Sequence, residues 1–162
     1  RASGRRFCMP EMQAAIGRIQ LRKLDSWVDK RRRLASILSE GFKQFEALRI
    51  TCPADDAYHS YYKYYVFVRP ERLKKEWSRD RILYELSDRG IPCGTGICPE
   101  VYLEEAFNNY EWRTCAGNQN RLETAKQLGE TSMMVLVHPT LEESNMLFII
   151  EQMAKILEEA ST

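Results

Sequence analysis

The residues best suited to chemistry lie close together in one short stretch. Between Gly94 and Cys98 the sequence GTGIC sets two glycines beside a thiol. A thiol can act as a nucleophile, and glycine lets the backbone come close to a ligand or to another chain. Gly94-Thr95-Gly96 begins like a phosphate-cradling loop, but the third glycine and the helix start of a dinucleotide fingerprint are absent. A reactive Cys98 would need a nearby cation or helix end to lower its pKa, and the sequence supplies neither at a fixed spacing.

Other candidates are better explained by structure than by catalysis. His59 and His138 are the only histidines, and neither has a Ser, Cys or Asp partner in a nucleophile motif. Cys93 and Cys98 are separated by four residues, with no second cysteine pair or histidine cluster to complete a metal site. The five cysteines form an odd set in a chain without a secretory leader or an apolar run able to span a bilayer, so a reduced, cytoplasmic protein with no membrane partner is expected.

Charge narrows the partners further. A formal net charge of +1 gives no broad positive field, so nucleic acid is not an expected partner. The run Lys30 to Arg33 has Asp25, Asp29 and Glu40 nearby and reads as a solvated helix face. The segment HSYYKYYVFVR does resemble the aromatic sheets on which RNA bases stack, but tyrosines at successive positions must divide between the two faces of a strand. About half of them therefore belong to a core. A stand-alone, non-catalytic ligand- or RNA-binding module is the alternative function that this segment keeps open.

The elements that must position these groups follow from periodicity. Pro10 and Glu11 suit a first helical turn near Met9, and Met12, Ile16 and Ile19 share one stripe. The stripe then shifts to Leu21, Leu24, Val28, Ala35, Leu38, Phe42 and Phe45, which predicts two consecutive helices or one bent near Asp25 and Ser26. A strand is predicted over Tyr58 to Arg69, closed by Pro70. Ser78 with Asp80 opens a helix with Ile82, Leu83 and Leu86 on one side, ended by Gly90. A brief strand over Ile91 to Cys93 precedes the irregular stretch from Gly94 to Gly117. A helix over Asn118 to Leu128, with Leu122, Ala125 and Leu128 inward, leads to a strand over Ser132 to Val137. Thr140 and Glu143 have capping-box spacing for a last helix whose buried stripe is Met146, Ile150, Met153 and Leu157. The predicted class is α+β: a long helical segment, then a small sheet covered by helices.

Several of these segments together resemble the DegT/DnrJ/EryC1/StrS aminotransferases: MPEMQAAIGRIQLRKLD, HSYYKYYVFVRPE, SRDRILYELSDRGIPC, CPEVYLEEAF and LGETSMMVLVHPTL, in that order. The resemblance implies the small domain of a fold-type I aminotransferase, with a mainly antiparallel sheet. Residues 1–48 would then link to a large domain absent from this sequence, and residues 49–162 would form the small domain. It also implies pyridoxal phosphate in the parent enzyme, held by a lysine elsewhere, with neither catalytic nor cofactor-binding residues in this chain. The implied parent is a homodimer that transfers an amino group to a nucleotide-linked keto-sugar for polysaccharide or glycoconjugate synthesis. Cys98, Glu100 and Tyr102 are the residues matching the substrate-facing segment. Where the family shows Gly-x-Asn-x-Arg-Met, this chain has Gly4-Arg5-Arg6-Phe7-Cys8-Met9, so the asparagine's phosphate contact does not carry over to Arg6. The opening RASGRRFC, starting at Arg1, agrees with a fragment of something longer.

Overall fold

The computed structural model describes residues 9–96, 99–107 and 122–161. Helices α1 (Glu11–Leu21) and α2 (Leu24–Phe42) lead into strands β1 (Leu48–Ile50) and β2 (Tyr64–Val68). Helix α3 (Arg79–Asp88), strand β3 (Cys93–Gly94), helix α4 (Glu123–Thr131), strand β4 (Ser132–Val135) and helix α5 (Glu143–Ala160) follow. The four strands form one sheet in the order β1-β2-β4-β3, and every neighbouring pair is antiparallel. The expected α+β class with a small antiparallel sheet is what the chain adopts. Among the described residues no helix is long and apolar enough to cross a membrane.

Strand β2 shows why the sheet has one closed and one open face. Its side chains alternate: Tyr64, Val66 and Val68 are buried, whereas Tyr65 and Phe67 are half-buried on the other side. The buried set packs with Leu34, Leu38 and Phe42 of α2, Ile82 and Leu86 of α3, and Met146, Met153 and Ile156 of α5. Tyr64 is the largest fully buried side chain; its ring meets Phe42 edge-on at 6.0 Å and its hydroxyl lies 3.0 Å from Ser39 Oγ. Aromatic pairs of this kind contribute about 0.5–1.5 kcal/mol beyond the area they bury. Of the aromatic block only Tyr64 is buried, fewer than the half expected, because Val66 and Val68 take the other inward places of β2.

The aromatic strand is shorter than predicted because the chain turns before it. Tyr61 has φ 45°, a left-handed backbone that strand geometry does not permit. Its amide donates to His59 Nδ1 at 3.1 Å and the two rings meet edge-on at 4.4 Å, which fixes the turn. The helix break falls at Arg22 and Lys23, slightly before the predicted position, where the Lys23 amide donates to the Gln20 carbonyl and closes a tight turn. Strand β1 escaped prediction because Leu-Arg-Ile is too short to display a period.

Two finer expectations are corrected. The capping box of α5 is formed by Glu142 and Asn145, not by Thr140 and Glu143. Asn145 Oδ1 accepts from the Glu142 amide at 2.8 Å. Thr140 is taken up by the preceding turn, with His138 Nδ1 2.8 Å from its Oγ1. Helix α4 starts at Glu123, and residues 118–121 of the predicted span lie outside the described ones. Leu122 and Leu128 are not inward: they are 53% and 39% exposed, because α4 covers only a corner of the open sheet face.

Burial pushes the Tyr64 phenol up to about 12 from an ordinary value near 10. Folding therefore favours its neutral form. That stabilisation is complete below pH ~10 and lost as the pH rises toward ~12, a loss of roughly 2–3 kcal/mol. Denaturant melts between pH 9 and 12 should show this decline in the native chain and a flatter profile in Tyr64→Phe; equal slopes would contradict the assignment.

Candidate functional site

Gly96, just past the end of β3, and Pro99 lie at the open face of the sheet, each in a close approach. Gly96 has φ +97°, and a Cβ on it would lie 2.5 Å from Tyr65 Cε1, so only glycine lets the loop pass over that ring. Gly129, on α4, faces the Pro99 ring so closely that an added Cβ would overlap it. Ser132 Oγ adds a hydrogen bond to the Thr95 carbonyl at 2.9 Å.

One arginine ties α4 to the rest of the molecule. Arg79 Nη1 donates to the carbonyls of Gly129 (2.9 Å) and Ser132 (2.8 Å), and its Nε donates to Asp80 Oδ1 at 2.6 Å. The guanidinium satisfies carbonyls at the end of α4, which have no partner within the helix, and its cation suits that negative helix end. The strand that follows therefore starts in a fixed register with β2.

Of the predicted site residues, Glu100 and Tyr102 are brought together. Tyr102 donates to Glu100 Oε1 at 2.8 Å, and its hydroxyl oxygen accepts from the Leu122 amide at 2.9 Å. The phenol thus links the loop to the residue preceding α4. Cys98, with Arg6 and Cys8, lies outside the described residues. Cys93 is half-buried; its thiol donates to the Leu83 carbonyl at 3.4 Å, and burial pushes its pKa up, away from nucleophilic character. The histidines are engaged in turns: His59 accepts from the Tyr61 amide, and His138 lies beside Thr140.

Two cavities that the sequence did not reveal open on this face. One, of about 340 Å³, is walled by Tyr65, Phe67, Pro99, Ala125, Leu128 and Ser132 and is chiefly apolar. The other, of about 180 Å³, is lined among others by Thr51, Cys52, His59, Tyr61, Lys63 and Tyr65. Tyr65 borders both. The signal that could have found them is the alternation of Tyr65 and Phe67 on β2, continued by Lys63 just before it.

Over residues 1–154 the chain matches the DegT/DnrJ/EryC1/StrS aminotransferase family. It superimposes on an aminotransferase from Psychrobacter cryohalolentis with a TM-score of 0.83 and 40% identity, covering 98% of this chain and 44% of that one. A putative sugar aminotransferase from Streptococcus pneumoniae, solved in PLP and PMP forms, matches with a TM-score of 0.74 and 20% identity over 93% of this chain and 36% of that one. The dTDP-4-dehydro-2,3,6-trideoxy-D-glucose 4-aminotransferase of Saccharopolyspora spinosa is 22% identical over 160 residues, which is 96% of this chain and 36% of that protein. The chain spans less than half the length of each.

Gly96→Ala and Gly129→Ala should each cost about 1–3 kcal/mol, the first through strained backbone and both through overlap. Gly94→Ala, whose new Cβ would meet Met134 at an ordinary 3.6 Å, should stay within about 0.5 kcal/mol of the parent in the same thermal melts.

Proposed function

Since this chain belongs to the DegT/DnrJ/EryC1/StrS aminotransferase family, we propose that it is the C-terminal small domain of a pyridoxal-phosphate-dependent enzyme that transfers an amino group, from glutamate, to a nucleotide-linked keto-sugar. The observation that carries the reading is the family match across nearly the whole chain, joined to its coverage of less than half of a 40%-identical aminotransferase. The sugar in the name of the Saccharopolyspora aminotransferase and the PLP and PMP forms of the Streptococcus neighbour support the substrate class and the cofactor.

The two cavities on the open face of the sheet do not fit the cofactor. Pyridoxal phosphate needs a lysine amine for its aldehyde and cations or amides for its phosphate. The apolar cavity is lined by neither lysine nor arginine, and the cleft lined by Lys63, at about 180 Å³, falls below the ~300–1,000 Å³ typical of such sites. Bound elsewhere in the parent enzyme, the cofactor supplies the electron sink. In this proposal residues 1–48 lead in from the large domain, residues 49–162 form the small domain, and the parent works as a homodimer.

This chain's own task is positioning. Cys98, Glu100 and Tyr102 face the sugar-nucleotide, with the Tyr102 hydroxyl held between Glu100 and the Leu122 amide so that the carboxylate keeps one orientation. An oriented carboxylate accepts hydrogen bonds from sugar hydroxyls without first ordering itself. The chain alone should show no transamination.

The full-length gene product, assayed with glutamate and nucleotide-linked keto-sugars, should release 2-oxoglutarate only when a keto-sugar is present. In that enzyme Tyr102→Phe should raise KM for the keto-sugar about fivefold, the worth of one hydrogen bond of ~1 kcal/mol, and leave KM for glutamate unchanged. Equal changes in both constants would assign Tyr102 to folding instead.

A further inference from the structure

We propose that Arg79 is a positioning residue of the substrate site: its guanidinium fixes helix α4, and α4 in turn fixes Glu100 and Tyr102. This rests on the reading of Glu100 and Tyr102 as residues that face the substrate, and it adds to them a residue that touches no substrate itself.

The need for such an anchor follows from how little of α4 is packed. Of its nine residues only Thr131 is buried, and no residue from 122 to 131 belongs to the core that α2, α3 and α5 close over the sheet. A helix of this length has little stability of its own and takes its place from whatever holds it. Here the hold is polar. Arg79 stands in the first turn of α3, whose Ile82 and Leu86 are fully buried, so its stem starts from the rigid part of the molecule. The side chain is only 12% exposed, and a single nitrogen, Nη1, meets both the Gly129 and the Ser132 carbonyls. With Nε donating to Asp80, the planar guanidinium has one orientation in which all three bonds form.

Both carbonyls belong to residues that also touch the site. Gly129 lies against the ring of Pro99, the residue preceding Glu100, and the Ser132 hydroxyl donates to the Thr95 carbonyl. Before the first turn of α4 the Leu122 amide donates to the Tyr102 hydroxyl, which donates to Glu100. A shift of α4 therefore reaches Glu100 from two directions, through Pro99 and through Tyr102. The core gains nothing from the bonds that Arg79 makes to α4, so their loss should loosen the site and leave the fold intact.

Hydrogen exchange of the full-length enzyme, followed by mass spectrometry, reads the first link. Arg79→Gln should speed exchange in the peptide over Glu123–Thr131 about tenfold, the worth of one charge-assisted hydrogen bond, and leave peptides over β2 and α5 within about twofold of the parent. Arg79→Lys, which keeps a cation at the end of α4, should restore part of that protection. Unchanged exchange in α4, or faster exchange in all three regions, would make Arg79 a residue of general stability and overturn the proposal.

Kinetics of the same enzyme read the second link. Arg79→Gln should raise KM for the keto-sugar about fivefold, as Tyr102→Phe does, with KM for glutamate unchanged. Because both substitutions release the same carboxylate, the double variant should stay within about twofold of Arg79→Gln alone; independent effects would multiply to about twenty-five-fold and would sever Arg79 from Tyr102. An enzyme that aminates no keto-sugar brings down the functional reading and the role of Arg79 with it. Amination that persists with an unaltered KM in Arg79→Gln brings down the role of Arg79 alone.

Discussion

A strand of five residues, with neighbours pointing alternately to opposite sides, is the constraint on which the rest of this structure depends. One side of β2 must be oily and tightly filled, because α2, α3 and α5 close over it. The other side is released from packing and is free to be chemical. Tyr64 illustrates the first demand: its ring fills the space beside Phe42, and its hydroxyl, which would be costly to bury alone, finds Ser39. Tyr65, one residue later, illustrates the second. It walls two cavities, and Gly96 passes close to its ring.

The face away from the core is organised by economy of means. Arg79 reaches from the first turn of α3 to the end of α4 and gathers two backbone carbonyls, which sets the start of β4. Gly96 lies against Tyr65, and Gly129 against Pro99. Tyr102 then bridges Glu100 to the residue before α4. Groups held at several points are placed before any ligand arrives, and this is the physical basis for reading Glu100 and Tyr102 as positioning residues.

Much of the fold was legible from residue types and spacing. The helices α2, α3 and α5 declare themselves by apolar stripes, and α3 also by Ser78, whose hydroxyl accepts from the Arg81 amide. What escaped were features decided by tertiary contacts. Leu122 and Leu128 sit at the right intervals for a buried stripe, but among the described residues no element covers them fully, so periodicity alone misplaced them. The expected cap at Thr140 lost to Glu142 because a turn had already claimed the threonine. For the site, the sequence named Glu100 and Tyr102 but not the hydrogen bond between them. The two cavities were not legible, because their walls come from β2, α4, Pro99 and the segments before β2, which are distant in sequence.

Helix α1 has a practical consequence. None of its residues is buried, and Met12, Ile16, Ile19 and Leu21 all stand in water, with Met12 76% exposed. An eleven-residue helix gains little from propensity alone and draws its stability from whatever covers its apolar side. Handled as a separate polypeptide, the chain would therefore behave in part like a surfactant, clinging to hydrophobic resins and air–water interfaces and self-associating on concentration. Solubility becomes a property of how much of the protein is expressed, and a longer polypeptide that covers this stripe would be easier to purify than the shorter one.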